Sequence, residues 1–109
     1  MTEARFARLI TMKAKAGKGD EFVKKFEEEV ASTAAKLAGM RRLYLLRQVG
    51  RRDKFAVISL WDDEKSAERY AKSGRNKGYE KKLAGVRAGK EKVKKFHVEL
   101  HLVGESAKP

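Results

Sequence analysis

The chain has 109 residues and a formal net charge of +12, from 27 Lys and Arg against 15 Asp and Glu. Its length suits one domain, and 41% apolar residues in periodic runs exclude a disordered chain. The absence of cysteine excludes disulfides and thiolate chemistry, and no apolar run approaches the ~20 residues of a membrane helix. We therefore expect a soluble, cytoplasmic single domain over 1–104, followed by a frayed tail at 105–109.

The first half of the chain predicts a strand, a helix and a hairpin. Loose alternation of apolar residues favours a strand over 4–15. A glycine-rich break then leads into a helix, for which Asp20 or a neighbour is the candidate cap and Gly39 the candidate stop. Its apolar stripe, with a spacing of three to four, consists of Phe22, Phe26, Val30, Ala34 and Leu37. Two further strands, 40–49 and 54–61, are separated by a turn of hairpin length.

The second half predicts a helical region and a last strand. Asp62 and Asp63 can cap a helix from Glu64, which polar residues at 73–76 interrupt before helical spacing resumes. Alternation then predicts a final strand over 93–103. The order β-α-β-β-α-β is that of an α+β, ferredoxin-like fold, in which two helices cover one face of a four-stranded antiparallel sheet.

The two central strands are apolar on both faces. On the second strand, Leu43 and Leu45 alternate with Tyr44 and Leu46, and the third strand follows the same rule. Two helices can cover only one face of the sheet, so the other face would expose a large apolar patch to water. We therefore predict a homodimer in which a second copy packs against this sheet face.

Two segments resemble a known family. The strand and turn LITMKAKAGKGDEF at 9–22 are similar to the family's opening, and the apolar helix stripe follows. More specific is WDDEKSAERYAKS at 61–73, in which a tryptophan ends a strand, acidic residues follow, and Tyr70 lies nine positions on. In these features the sequence resembles the antibiotic biosynthesis monooxygenase (ABM) domain family.

This resemblance implies a dimeric α+β barrel with a pocket between the sheet and the helices of each protomer. Several family members oxidise phenolic or quinol substrates with O₂ and without metal or flavin, so our leading hypothesis is a cofactor-independent monooxygenase with a small aromatic substrate. A haem-degrading branch uses an Asn, a Trp and a His where this chain has Ile10, Tyr70 and Glu80. Because no iron ligand is evident, haem is not expected, and we predict no cofactor.

Four aromatic residues are candidates for substrate binding, while no catalytic residue can be assigned from the sequence. They are Trp61, Tyr70, Tyr79 and Tyr44. Each also has a purely structural interpretation, as a core or dimer-interface side chain whose polar group finds a backbone partner.

His97, Glu99 and His101 alternate on one face of the expected last strand. Their side chains are of metal-binding type, but residues four apart on a strand are too distant for one ion to be shared easily by both histidines. We predict no metal site, and we interpret the cluster as a solvated or interface face of an edge strand.

Positive charge is concentrated in 64–95, which has twelve Lys and Arg against four Glu. Such a segment attracts anions, so the alternative hypothesis is a non-catalytic binding module for nucleic acid or another polyanion. The third strand, KFAVISLW, lacks the central glycine and the aromatic pattern of an RNA-recognition motif. A solvated helix face explains the same charge without any partner.

Overall fold

The computed structural model describes residues 3–107, except for the side chain of Asn76. The strands are β1 (Phe6–Ala14), β2 (Met40–Arg47), β3 (Lys54–Trp61) and β4 (Arg87–His97). The helices are α1 (Gly19–Phe26), α2 (Ser32–Ala34), α3 (Glu64–Lys72) and α4 (Gly74–Leu83), with a π-helical turn at Glu27–Ala31 between α1 and α2 and a 3₁₀ turn at Glu105–Ala107.

The four strands form one antiparallel sheet in the order β2-β3-β1-β4. Phe6 of β1 lies opposite Trp61 of β3 and His97 of β4, so the start of β1 and the ends of its two neighbours meet at one edge. The helices pack on a single face of this sheet, over the inward-facing residues of β1 and β3. The predicted α+β, ferredoxin-like fold is confirmed.

The apolar stripe of the first helical region is buried as its spacing predicts. Phe22, Phe26, Val30 and Ala34 are all in the core, and Phe22 stacks on Phe55 with 4.6 Å between ring centroids. The predicted cap is wrong, because α1 begins after Lys18 without any side-chain cap. Asp20 instead accepts hydrogen bonds from two arginines, Arg47 and Arg52.

The connection from α2 into β2 and the start of α3 are built as the sequence suggests. Gly39 has φ +82°, and its carbonyl accepts a hydrogen bond from the backbone N–H of Asp62 at 2.8 Å. Asp63 caps α3, since its carboxylate accepts from the N–H of Ser66 at 2.8 Å. These hydrogen bonds to Ser66 lower the pKa of Asp63.

The last strand differs from its prediction at both ends. β4 starts at Arg87 and ends at His97, so Glu99 and His101 lie beyond it and the three residues do not share a strand face. A strand needs a ladder partner, and β1 begins only at Phe6, opposite His97. Alternation alone could not show that residues 98–103 have no neighbouring strand within residues 3–107.

The sheet face away from the helices is apolar and partly open. Tyr44, Leu46 and Phe96 lie on it with 49%, 44% and 48% of their surface exposed. Of the predicted tail, Glu105–Ala107 form an exposed turn, while positions 108 and 109 lie outside the described residues. Among the residues described, no helix combines the length and the apolar character needed to cross a bilayer.

Candidate active site

A cavity lies between the helices and the sheet. Its walls are mostly apolar and include Phe26 and Val30 from the helical layer and Met12, Leu43 and Val57 from the sheet. The space between the lining atoms is about 600 Å³, counted out to the open mouth. It is an apolar cavity that opens to solvent, a common form of small-molecule site.

Two aromatic side chains form one wall of the cavity. Trp61, at the end of β3, is 1% exposed, and its indole N–H donates to Ser59 Oγ at 2.9 Å. Tyr70, on the inner side of α3, stacks on Trp61 with ring centroids 5.5 Å apart. Burial raises the pKa of Tyr70 to about 12, so its phenol is neutral at physiological pH.

Tyr79 of α4 continues this aromatic wall. Its ring centroid lies 6.3 Å from that of Tyr70, and its hydroxyl shares a hydrogen bond of 2.6 Å with Thr33 Oγ1. Three of the four aromatic candidates from the sequence, Trp61, Tyr70 and Tyr79, therefore line the same cavity.

Tyr44 does not join them. It lies on β2 opposite Ile58, on the sheet face away from the helices, and does not line this cavity. The fold therefore does not bring Tyr44 together with the other three within one chain, because alternation along β2 places Tyr44 on the face of Leu46 rather than that of Leu43.

Arg8 lines the cavity and was missed by sequence reasoning. Only 5% of this residue is exposed, although it carries a full charge. Its Cζ lies 5.4 Å from the centroid of the Tyr70 ring, a cation–π distance. Its position between Phe6 and Ile10 was the available signal, since strand alternation places Arg8 on the same face as these two apolar residues.

A pair of carboxyl groups lines the same cavity. Glu80 of α4 and Glu91 of β4 are hydrogen-bonded to each other, and Arg87 Nη1 approaches Glu91 Oε2 at 3.5 Å. Burial, and then the hydrogen bond with Glu80, raise the pKa of Glu91 to about 7. A carboxyl group with this pKa can exchange a proton near neutral pH.

Ligands of the metal-binding type are not gathered anywhere in residues 3–107. No group of three or more His, Asp or Glu there is placed to hold a metal ion. His101 Nδ1 instead lies 3.3 Å from Glu3 Oε1, on the outer surface beyond β4. The arrangement in the cavity is thus an apolar chamber with aromatic rings, one buried guanidinium and a carboxyl pair, which suits binding and deprotonation of a small aromatic molecule.

Comparison with solved structures identifies proteins of the same fold. The NE2512 protein of Nitrosomonas europaea, described as of unknown function, superposes with a TM-score of 0.79 at 12% identity, over 95% of this chain and 98% of that one. SnoaB of Streptomyces nogalater, described as a cofactor-independent oxygenase, superposes with a TM-score of 0.75 at 18% identity, over 91% and 97%. A conserved protein of Methanosarcina mazei gives 0.72 at 15% identity, over 87% and 93%.

These neighbours define a class of small α+β domains with a ferredoxin-like protomer. The sequence model of the antibiotic biosynthesis monooxygenase family matches residues 5–97, which include all four strands and the whole cavity. The chain therefore belongs to the antibiotic biosynthesis monooxygenase family. No curated protein matches the sequence.

Proposed function

We propose that this protein is a cofactor-independent oxygenase that oxidises a small phenol- or quinol-like substrate with O₂ in the cavity beneath the helices. The observation that carries the proposal is the combination in one chamber of apolar walls, stacked aromatic rings and a carboxyl pair. Membership of the ABM family and the fold shared with SnoaB support a monooxygenase-type function.

The reaction can proceed without an external reductant. When a phenol with hydrogen on its para carbon becomes a quinone, one oxygen atom of O₂ enters that carbon and the other leaves as water. The phenol supplies all four electrons, two for forming the new C–O bond and two for the step from quinol to quinone. The protein has to hold the ring, exclude water and take up the phenolic proton.

Each of these tasks has a candidate residue. Trp61, Tyr70 and Tyr79 hold the substrate ring against the aromatic wall. Glu91 is our candidate for the group that accepts the phenolic proton, because a pKa of about 7 makes its carboxylate both available and basic at neutral pH.

Oxygen uptake and tryptophan fluorescence test the proposal together. Trp61 is the only tryptophan in the sequence, so quenching of its emission reports ligand binding in the cavity. A panel of phenols, quinols and haem is titrated with a metal chelator present while O₂ is recorded. We expect saturable quenching by at least one phenol or quinol and one O₂ consumed per substrate; binding without oxygen uptake would contradict an oxygenase.

The variant Trp61→Phe tests the aromatic wall itself. It removes the indole from the wall while keeping an aromatic ring, so substrate affinity should fall roughly two- to thirteenfold, as expected for about 0.5–1.5 kcal/mol of ring contact. Phe22→Leu is the matched control, since Phe22 is fully buried in the core but does not line the cavity. Equal kinetics for the wild type and a folded Trp61→Phe variant would remove Trp61 from the site.

We also propose that the functional unit is a homodimer joined through the outer sheet face. The half-exposed Tyr44, Leu46 and Phe96 give this face an apolar surface that a second copy would cover. Family members are generally dimeric, which supports the same arrangement.

The alternative function, a polyanion-binding module, is supported by the exposure of the basic segment 64–95. Of its twelve Lys and Arg, eleven are exposed, and Arg87 alone is directed into the cavity wall. These residues are distributed over α3, α4 and β4. A binder of duplex DNA should lose affinity steeply with salt, with a logarithmic slope near −0.9 per neutralised phosphate, whereas failure to bind DNA at low salt would eliminate this alternative.

A further inference from the structure

The guanidinium of Arg8 is buried with part of its hydrogen-bonding capacity unused. Its Nε and Nη1 are inaccessible to solvent, and no described residue accepts a hydrogen bond from either. Leaving such donors unpaired destabilises the folded state, and more so when the group is charged. The Tyr70 ring offsets some of this cost through its π face but supplies no acceptor oxygen along the N–H bonds.

The charged groups around Arg8 do not neutralise it fully at neutral pH. Those that face it are Tyr70 from α3, Tyr79 and Glu80 from α4, and Arg87, Glu91 and its exposed cross-strand neighbour Lys95 from β4. The phenol of Tyr70 is uncharged, and Glu91, whose pKa burial and the hydrogen bond with Glu80 raise to about 7, is only partly ionised at neutral pH and also lies 3.5 Å from Arg87 Nη1. This leaves Arg8 as a cation in a chamber with few acceptors directed at it.

We propose that Arg8 binds the anionic oxygen of the aromatic ligand, so that the cavity selects a phenolate rather than a neutral phenol. The inference rests on the proposed function, because it names the ionisation state of the substrate held in the same cavity. A guanidinium stays charged throughout the physiological pH range and forms strong hydrogen bonds with anionic oxygen. The ring of the ligand then lies among the apolar walls, next to Trp61 and Tyr70.

Proton balance is satisfied within the site. When a phenol enters, its O–H bond breaks, the proton passes to the carboxylate of Glu91, and the phenolate oxygen accepts hydrogen bonds from Arg8. Glu91 becomes neutral in the same step, so the negative charge moves from the carboxyl group to the ligand. A phenolate is also the electron-rich form of the ring, which is the form that donates electrons to O₂ most readily.

The test uses 4-nitrophenol, whose phenolate is coloured, and follows its absorbance against pH at saturating protein. If Arg8 binds the anion, the pKa of the bound probe should lie at least about one unit below that of the free probe, which corresponds to a tenfold preference for phenolate. The variant Arg8→Gln should abolish this shift and weaken binding of the phenolate about tenfold or more. Arg8→Lys should retain a part of both effects.

Arg47→Gln is the matched control. Arg47 also lies on the inward sheet face and over an aromatic ring, with its Cζ 4.9 Å from the centroid of Phe55, but it does not line the cavity. A further variant, Glu91→Gln, removes the titrating carboxyl group, so that the pH dependence of the absorbance in this variant reports the probe without a contribution from Glu91. Should Arg8→Gln fail to fold, the wild type is assayed with benzoate and the neutral benzamide as competitors, and benzoate should compete at least tenfold better.

The outcomes separate this inference from the proposed function. A lowered probe pKa that depends on Arg8, with no O₂ consumed by any phenol, supports Arg8 and contradicts the oxygenase. Oxygen uptake with an unshifted probe pKa overturns the role of Arg8 alone. Equal affinity for benzoate and benzamide, or no binding of any aromatic probe, overturns it as well.

Discussion

Two residues of this protein, Arg8 and Glu91, combine burial with charge, and both line the cavity. Arg8 and Glu91 are both removed from most of the solvent, and neighbouring groups compensate each of them, the π face of Tyr70 for Arg8 and a hydrogen bond with Glu80 for Glu91. Perturbed ionisation concentrates at functional sites, since catalysis needs groups that change charge near neutral pH. The same perturbation has a consequence for stability that can be measured without any substrate.

The folded protein should become less stable as the pH rises from about 4.5 to about 7. Glu91 keeps its proton up to about pH 7 in the folded state, whereas the unfolded chain releases it near 4.5. The folded state therefore binds more protons within this window, and the free energy of unfolding falls as the pH rises through it. Above pH 7 the group is ionised in both states and adds no further slope.

The variant Glu91→Gln should flatten this part of the profile, because an amide does not titrate. We expect a higher melting temperature than the wild type at pH 8 and a smaller difference at pH 5, measured by thermal unfolding in the same buffers. Glu99→Gln removes an exposed carboxyl group beyond β4 and serves as the control. If the melting temperatures of Glu91→Gln and the wild type change with pH in parallel, the raised pKa of Glu91 is refuted.

At the scale of elements, the path of the chain depends on close contacts between a loop and the helix that carries Tyr70. Gly39 turns the chain out of α2 with a positive φ, and a Cβ built there would overlap the side chain of Ser66 in the first turn of α3. This contact fixes how closely β2 and α3 approach each other. The sequence marked Gly39 as a helix stop, but nothing in it indicated that α3 would pack against that position.

Gly39→Ala should therefore destabilise the protein by roughly 2–5 kcal/mol. About 1–2 kcal/mol comes from the left-handed backbone and the rest from overpacking against Ser66. Gly50→Ala is the matched control, because Gly50 has φ +79° with open space around it, and it should cost only the backbone part. Urea unfolding measures the free energy of unfolding of both variants. Equal decreases for Gly39→Ala and Gly50→Ala would show that the contact with Ser66 does not contribute to the cost of the substitution.

At the scale of the whole molecule, the chain has one covered and one uncovered sheet face. The helices bury the inward side chains of β1 and β3, while the outer face keeps Tyr44, Leu46 and Phe96 about half exposed. Lys92 and Lys94 alternate along β4 on that outer face, near its edge. An apolar centre beside a charged edge is the pattern of a protein interface.

Leu46→Glu should disrupt the proposed homodimer, because it places two carboxylates in an apolar interface without partners. We expect the wild type to have the mass of a dimer in size-exclusion chromatography with light scattering, and the variant to shift to the monomer at micromolar concentration. Val49→Glu is the control, since Val49 is 97% exposed in the turn after β2 and lies outside the sheet. A monomeric wild type, or a Leu46→Glu variant that stays dimeric, would contradict the interface.

The sequence by itself determined the elements, the fold class and most of the aromatic wall. Helical and strand periodicities are local, so the apolar stripe from Phe22 to Leu37, the strand ending at Trp61 and the helix carrying Tyr70 could all be predicted from neighbouring residues. The family resemblance, carried by 61–73, was confirmed by the match over residues 5–97. Where β4 stops was not local information, because it depends on where β1 begins.

Only the tertiary structure decided which polar groups meet in the cavity. Arg8, Tyr70, Glu80 and Glu91 come from four different elements, and no spacing along the chain relates them. The antiparallel order of β1 and β4 brings two of them to the same sheet face, and the packing of α3 and α4 adds the others. The net charge can be counted from the sequence, but the burial of Arg8 with two unsatisfied N–H donors near a carboxyl pair depends on distances that only the folded chain sets.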